Sequence, residues 1–132
     1  MTIRSAEPRD LDDIGRILGK SSWRAEDLLA FDCRIAELDG LLAGFLAARE
    51  TGPGEREILY IAVDSAFRRR GVGRALIQNQ LATSKGACFL EVRESNLAAI
   101  NLYKSAGFRP VGRREYYYTD PPETAIVMRF LS

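Results

Sequence analysis

Residues 58–76 read Ile-Leu-Tyr-Ile-Ala-Val-Asp-Ser-Ala-Phe-Arg-Arg-Arg-Gly-Val-Gly-Arg-Ala-Leu. A dense apolar run ends in a turn that gathers four arginines around two glycines, and helix-spaced apolar residues follow. Glu57 to Val63 is therefore expected as a buried strand, and Gly71 to about Ser84 as a helix burying Val72, Leu76 and Leu81. Ala87 to Val92 returns to a strand pattern. A strand, a glycine turn, a helix and a second strand suit a right-handed parallel crossover, which restricts the chain to an α/β architecture.

The same unit is suited to phosphate. First-turn amides of a helix have no partners within it, and the helix dipole adds partial positive charge there. Glycine lets a phosphate approach the backbone, and arginine adds charge-assisted hydrogen bonds. The spacing is R-x-x-G-x-G, at Arg68, Gly71 and Gly73. It is neither the GxxxxGK[ST] of a P-loop nor the GxGxxG of a dinucleotide turn. On spacing alone, a solvated basic loop remains the rival reading.

Around this unit the order is strand, two helices, three strands, helix, strand, helix, two strands. Thr2 to Ala6 is the first strand. Pro8 opens a helix with Asp10, Asp12 and Asp13 in its first turn, and Gly19 ends it. A short helix follows from Arg24 to Leu29. Cys33–Leu38 and Leu41–Arg49 flank Asp39-Gly40, a hairpin signal because both turn positions tolerate positive φ. Thr51-Gly-Pro-Gly54 is another turn. Asn96 caps a helix with a stripe at Ala99, Leu102, Tyr103 and Ala106, and Gly107 stops it. Phe108–Tyr118 and Thr124–Phe130 close the chain as strands around Asp120-Pro-Pro122. One domain over residues 1–132 is expected, with a mixed, mostly antiparallel sheet of six to seven strands flanked by about four helices.

The totals exclude several chemistries. The 132 residues carry a net charge of +1 and contain no histidine. Near-neutrality disfavours a general nucleic-acid binder. Without histidine there is no Ser-His-Asp or Cys-His device, and most catalytic zinc sites are excluded, so no metal is expected. Proton transfer falls to Glu, Asp, Tyr, Lys, Cys or water. Two isolated cysteines and no signal pattern point to a reducing cytoplasm, and no apolar run reaches membrane-spanning length.

ILYIAVDSAFRRRGVGRALI and FLEVRESNLAAINLYKSAGF resemble the two main motif blocks of the GNAT superfamily of acetyl-CoA-dependent N-acetyltransferases. The likeness is close from about residue 57 to 130. With GRREYYYT and ETAIVM it is similar to the bacterial ribosomal-protein alanine N-acetyltransferases within that superfamily. Residues 1–56 match more loosely. Relatives carry Phe-Pro-Trp-Ser on the acceptor wall where this chain has Ser21-Ser22-Trp23-Arg24.

The resemblance implies acetyl-CoA as cosubstrate and gives roles to named residues. Ile61, Ala62 and Val63 would present backbone groups to the acetyl-pantetheine arm, with a nearby bulge freeing an amide for the thioester carbonyl. Arg68, Arg69, Arg70, Gly71, Val72, Gly73 and Arg74 would wrap the pyrophosphate. Asn96 would contact the cosubstrate besides capping its helix. Glu91 would act as general base on the incoming amine, the competing reading being a salt-bridged carboxylate paired with Arg93. Tyr103 would be the general acid at the departing thiolate, and Tyr116 and Tyr117 would line the acceptor slot. Cys88 faces away from Glu91 and is expected inert, which favours direct attack in a ternary complex.

The acceptor implied is a protein N-terminal α-amine, with alanine of a small-subunit ribosomal protein as the first case, on a monomer or weak dimer. Acetylation of lysine or a small amine, or a non-catalytic acetyl-CoA-binding module, are the alternatives.

Overall fold

The computed structural model describes residues 1–21, 23–83 and 86–131. Seven strands form one sheet in the order β1-β2-β3-β4-β5-β7-β6. They are β1 (Thr2–Ser5), β2 (Asp32–Leu38), β3 (Leu41–Gly52), β4 (Glu55–Val63), β5 (Ala87–Arg93), β6 (Arg109–Thr119) and β7 (Pro122–Leu131). Among the described residues only β4 and β5 pair in parallel. Helices α1 (Leu11–Leu18), α2 (Ala25–Leu28), α3 (Val72–Thr83) and α4 (Leu97–Ser105) flank the sheet. This is the mixed, mostly antiparallel α/β architecture expected from the order of elements. Among the described residues no helix is long and apolar enough to cross a membrane.

Local chemistry sets most boundaries. Asp39 (φ 55) and Gly40 (φ 76) both adopt the left-handed conformation that a two-residue hairpin requires. Asn96 caps α4 by accepting from the Ala99 amide at 3.2 Å, and Gly107 (φ 103) ends it. The expected turn at Thr51–Gly54 is tighter than its composition suggests. β3 runs on to Gly52 and β4 begins at Glu55, so only Pro53 and Gly54 lie outside the strands. The far end expected for α3, Ser84, lies outside the described residues.

The sheet separates two apolar layers. On one face Ile14, Leu18 and Leu28 pack against Ile35, Leu42, Phe45 and Ala47. On the other, Leu76, Ile77, Ile100 and Phe108 pack against Leu46, Leu90 and Met128. Covered on both faces, β3 is buried from Leu42 to Ala48. This explains its continuous apolar run. Besides a slip at the Glu50–Gly52 end of β3, two bulges interrupt the central pairing. Ala36 lies opposite Gly44 while Glu37 lies opposite Leu42, which leaves Ala43 unopposed. Ala47 lies opposite Tyr60 while Ala48 lies opposite Ile58, which leaves Leu59 unopposed.

Gly44 on β3 pairs with Val63 on β4. A Cβ there would lie 2.7 Å from the Ala62 carbonyl oxygen and 3.0 Å from Val72 Cγ1. The first neighbour is backbone, so relief requires the strands to move apart. Gly44→Ala is expected to cost about 1–3 kcal/mol, as overpacking does. A lowered urea midpoint with unchanged m-value checks this.

Candidate active site

β4 and β5 pair only through Glu55–Ala87, Arg56–Cys88 and Glu57–Phe89. Beyond them, the unopposed Leu59 adds a bend to β4, as bulges do, and the strands part. A cleft of about 1030 Å³ fills the wedge. Its walls include Ile61, Ala62 and Val63 from β4, Glu91 and Val92 from β5, and Gly73, Asn96 and Tyr103 from α3 and α4.

The register settles which backbone groups face it. The Asp64 amide donates to the Ala43 carbonyl at 2.8 Å. Along an antiparallel pair such bonded residues alternate with residues whose N–H and C=O point away. Ala62, two residues back, therefore bonds to β3. Ile61 and Val63 turn their backbone groups toward the wedge that β5 vacates. The bulge expected near Ile61–Val63 lies just before them, at Leu59.

The arginine–glycine turn follows a short 3-10 segment, Ser65–Phe67. Asp64 holds its start, accepting from the Ala66 amide at 2.9 Å and from Arg16 Nη1 at 2.9 Å. Those donors, the backbone amide foremost, hold the Asp64 carboxyl below its ordinary pKa. Arg69 (φ 64) and Gly71 (φ 76) then coil the chain into α3, where the first intrahelical bond runs from the Ala75 amide to the Gly71 carbonyl at 3.0 Å. The amides of Val72, Gly73 and Arg74 precede it and have no such partner.

The residues of this turn divide by task. Gly73 admits α4: a Cβ there would sit 3.2 Å from Leu102 Cδ2. The Val72 side chain is core. Arg70 lies 3.4 Å from Asp39 and over the Phe67 ring, and Arg74 donates to Ser105 Oγ at 2.8 Å. Arg68 and Arg69 are exposed and make no ion pair among the described residues. Of the turn, only Gly73 lines the cleft itself.

Glu91 is a half-buried carboxylate lining the cleft. Its partner is Arg114, with Nε 3.4 Å from Oε1, and not Arg93. Its Oε2 is buried with no hydrogen-bond partner among the described residues. Arg93 instead donates to the Asp120 and Pro121 carbonyls and to Glu123, and stacks 4.2 Å from the Tyr118 ring centre. Tyr103 is only 6% exposed. Burial pushes its phenol up to about 12, so it stays protonated through the neutral range. Cys88 is fully buried, and burial pushes its thiol up to about 11, which leaves no thiolate at neutral pH.

The tyrosine pair expected at the acceptor slot needs one correction. Tyr117 lines the cleft, but Tyr116 is 76% exposed and does not. Tyr118 lines it instead. Strict alternation would put Tyr116 and Tyr118 on one face. Between Arg114 and Tyr118 the β6 register slips against β7, and Tyr116 adopts φ 53. The slip brings Tyr117 and Tyr118 together, with ring centres 5.2 Å apart at 80°. Burial first, and then the Glu91 charge, raise both phenols. Lys20, Ser21, Trp23 and Asp120 also line the cleft. Of these only the Trp23 segment has a signal in the sequence, and its Ser22 lies outside the described residues.

Residues 4–108 match the model of the acetyltransferase (GNAT) family. The chain belongs to that family. It is 40% identical over 98 residues to the N-alpha-acetyltransferase RimI of Mycobacterium tuberculosis, covering 71% of this chain and 62% of that protein. It is 41% identical over 96 residues to the ribosomal protein bS18 alanine N-acetyltransferase of Escherichia coli, covering 68% and 64%. The crystal structure of the Escherichia coli ribosomal-protein-S18-alanine N-acetyltransferase superposes with a TM-score of 0.86 at 31% identity. That match covers 98% of this chain and 92% of the other. In sequence the GNAT match spans less than two thirds of the two curated relatives. It also spans 24% of a longer Mycobacterium leprae protein that is 46% identical over 88 residues. Acetyl-CoA is the cosubstrate of this family. No group of three metal-ligating side chains occurs among the described residues.

Proposed function

We propose that this chain transfers an acetyl group from acetyl-CoA to the α-amine of a protein N-terminus. The first acceptor to test is the N-terminal alanine of a small-subunit ribosomal protein. The observation that carries the reading is the Glu91 carboxylate: Arg114 holds one oxygen, and the other is buried in the cleft without a donor among the described residues. A buried acceptor without a donor is costly, and an amine entering the cleft supplies one.

Acetyl-CoA contributes an activated thioester, and the residues do the rest. The amides of Val72, Gly73 and Arg74, with Arg68 and Arg69, would hold the pyrophosphate. The outward backbone of Ile61 and Val63 would orient the pantetheine and polarise the acyl carbonyl. Glu91 takes the proton that the amine loses as its nitrogen bonds the acyl carbon. Tyr103 supplies a proton to sulfur as the carbon–sulfur bond breaks. An α-amine of pKa ~8 gives up its proton far more readily than a lysine near ~10.4, which suits a lone carboxylate base. Tyr117 and Tyr118 flank the acceptor.

Tyr103→Phe is expected to lower kcat by about 10²-fold with little change in the KM for acetyl-CoA. Because burial holds this phenol near 12, the kcat–pH profile should show no loss from Tyr103 ionisation below about pH 11. An alkaline decline near pH 9 that disappears in Tyr103→Phe would contradict this. Acceptor class is tested with acetyl-CoA and a panel of free N-terminal peptides, N-terminally blocked lysine peptides and polyamines. Modification of internal lysines alone would overturn the N-terminal assignment.

A further inference from the structure

Tyr117, Tyr118, Thr119 and Asp120 all line the cleft, yet backbone pairing does little to fix them there. β6 ends the sheet, beside β7. Its register slips just before the tip. Arg114 lies opposite Ala125 and Tyr118 opposite Glu123, so Glu115, Tyr116 and Tyr117 stand against the single Thr124. Such a slip re-aims side chains and disrupts the ladder. Beyond it, Tyr118–Glu123 and Thr119–Pro122 are the pairs that remain among the described residues. Asp120 and Pro121 form the turn between the strands, and their carbonyls lie outside the ladder. A side chain from outside the hairpin holds this tip. Arg93 closes β5 two residues beyond Glu91, on the same strand face. Its guanidinium donates to the Pro121 carbonyl at 3.0 Å, the Asp120 carbonyl at 3.2 Å and Glu123 Oε2 at 3.3 Å. Its Cζ lies over the Tyr118 ring, 4.2 Å from the centre. Glu123 in turn accepts from the Ser95 amide at 2.6 Å, next to the Asn96 cap of α4. With both Nη atoms bonded and a ring on its face, this guanidinium is committed to the hairpin and not held out to a ligand.

We infer that Arg93 is a positioning residue for the acceptor: it holds the Tyr118 wall of the cleft in a fixed place relative to Glu91. This rests on the reading above in which Tyr117 and Tyr118 flank the acceptor. The planar guanidinium suits the task. It bonds two carbonyls and a carboxylate through its N–H groups and still offers a face to an aromatic ring, which an ammonium does not do at once. Arg93 and Glu91 stand about 7 Å apart along one strand, so the anchor of the wall and the base share one rigid element. A displacement of ~1 Å between acceptor and base is enough to cost about 10²-fold in rate. The donors proposed for acetyl-CoA come from β4 and α3, outside this set of contacts.

The test compares the unsubstituted chain with Arg93→Met, Arg93→Lys, Tyr118→Ala and the double variant Arg93→Met/Tyr118→Ala. The acceptor is whichever amine of the panel above the chain acetylates. Arg93→Met is expected to raise the acceptor KM about ten- to a hundredfold, while KM for acetyl-CoA stays within about twofold. Arg93→Lys keeps the charge without the planar fork and should fall between. The double variant should be no worse than Tyr118→Ala alone, because the effect of the arginine passes through that ring. Thermal melts identify any variant that has lost its fold, and Arg93→Lys carries the same comparison if Arg93→Met has. An acceptor KM unchanged in Arg93→Met, or in Arg93→Lys where only that variant folds, overturns the inference and leaves the acceptor reading standing. An equal rise in both KM values also overturns it, because the arginine would then act on the cosubstrate through the start of α4. Single effects that multiply in the double variant overturn it as well. If the chain acetylates no amine of the panel, the acceptor reading itself falls, and this inference with it.

Discussion

Replacing Glu91 by Gln is expected to lower kcat/KM by about 10²- to 10⁴-fold, the range a positioned general base supplies. The substitution keeps the side chain's volume and removes its charge and its capacity to take a proton. The amine must then lose its proton to water. Acetyl-CoA affinity should be retained, because the donors proposed for it come from β4 and α3 and not from this carboxylate. Steady-state kinetics with a saturating acceptor, and calorimetric titration with CoA, separate the two effects. Turnover within a fewfold of the unsubstituted chain would remove Glu91 from the base role. Loss of CoA binding together with activity would show a structural collapse. Because Arg114 loses its charged partner, melting should also be compared.

Phe108→Ala is expected to destabilise the fold by about 3–5 kcal/mol, the range for truncating a buried aromatic. Phe108 is 1% exposed and sits between Tyr103 and Phe130, with ring centres 5.9 and 5.8 Å away. Its removal opens a cavity directly behind Tyr103. Nothing else described stacks on that ring, so the hydroxyl loses its fixed place at the cleft. Urea denaturation measures the stability loss. At a temperature where the variant remains folded, kcat should fall more than KM rises, since a displaced acid weakens the chemical step. Phe108→Leu, which refills most of the volume, should recover stability more fully than it recovers kcat.

Much of the fold was legible because its signals are local. The left-handed turn at Asp39-Gly40, the Asn96 cap and the Gly107 stop each act within a few residues. They land where propensity puts them. The Leu41–Arg49 segment is read correctly as a strand, and its burial on both faces emerges only with the sheet covered on each side. The pairing of Glu91 was not legible. Arg93 is its neighbour on the same strand face, but Arg114 arrives from β6, across β7, a contact that no local pattern encodes. Arg93 is drawn instead to the carbonyls around Asp120-Pro121 and to the Tyr118 ring.

What the sequence by itself determined was the strand, arginine–glycine turn and helix, the alternation that buries Cys88 and turns Glu91 the other way, and the absence of histidine, which excludes histidine-based proton transfer. These follow from side-chain chemistry and periods of two and 3.6 residues, which need no knowledge of partners. Only the tertiary structure decided that β4 and β5 part after Glu57, that the bulge falls at Leu59, and that Tyr118 replaces Tyr116 at the cleft. Each depends on register between strands. One unopposed residue reverses which face every later side chain meets, and the energy that places it comes from packing across the whole sheet.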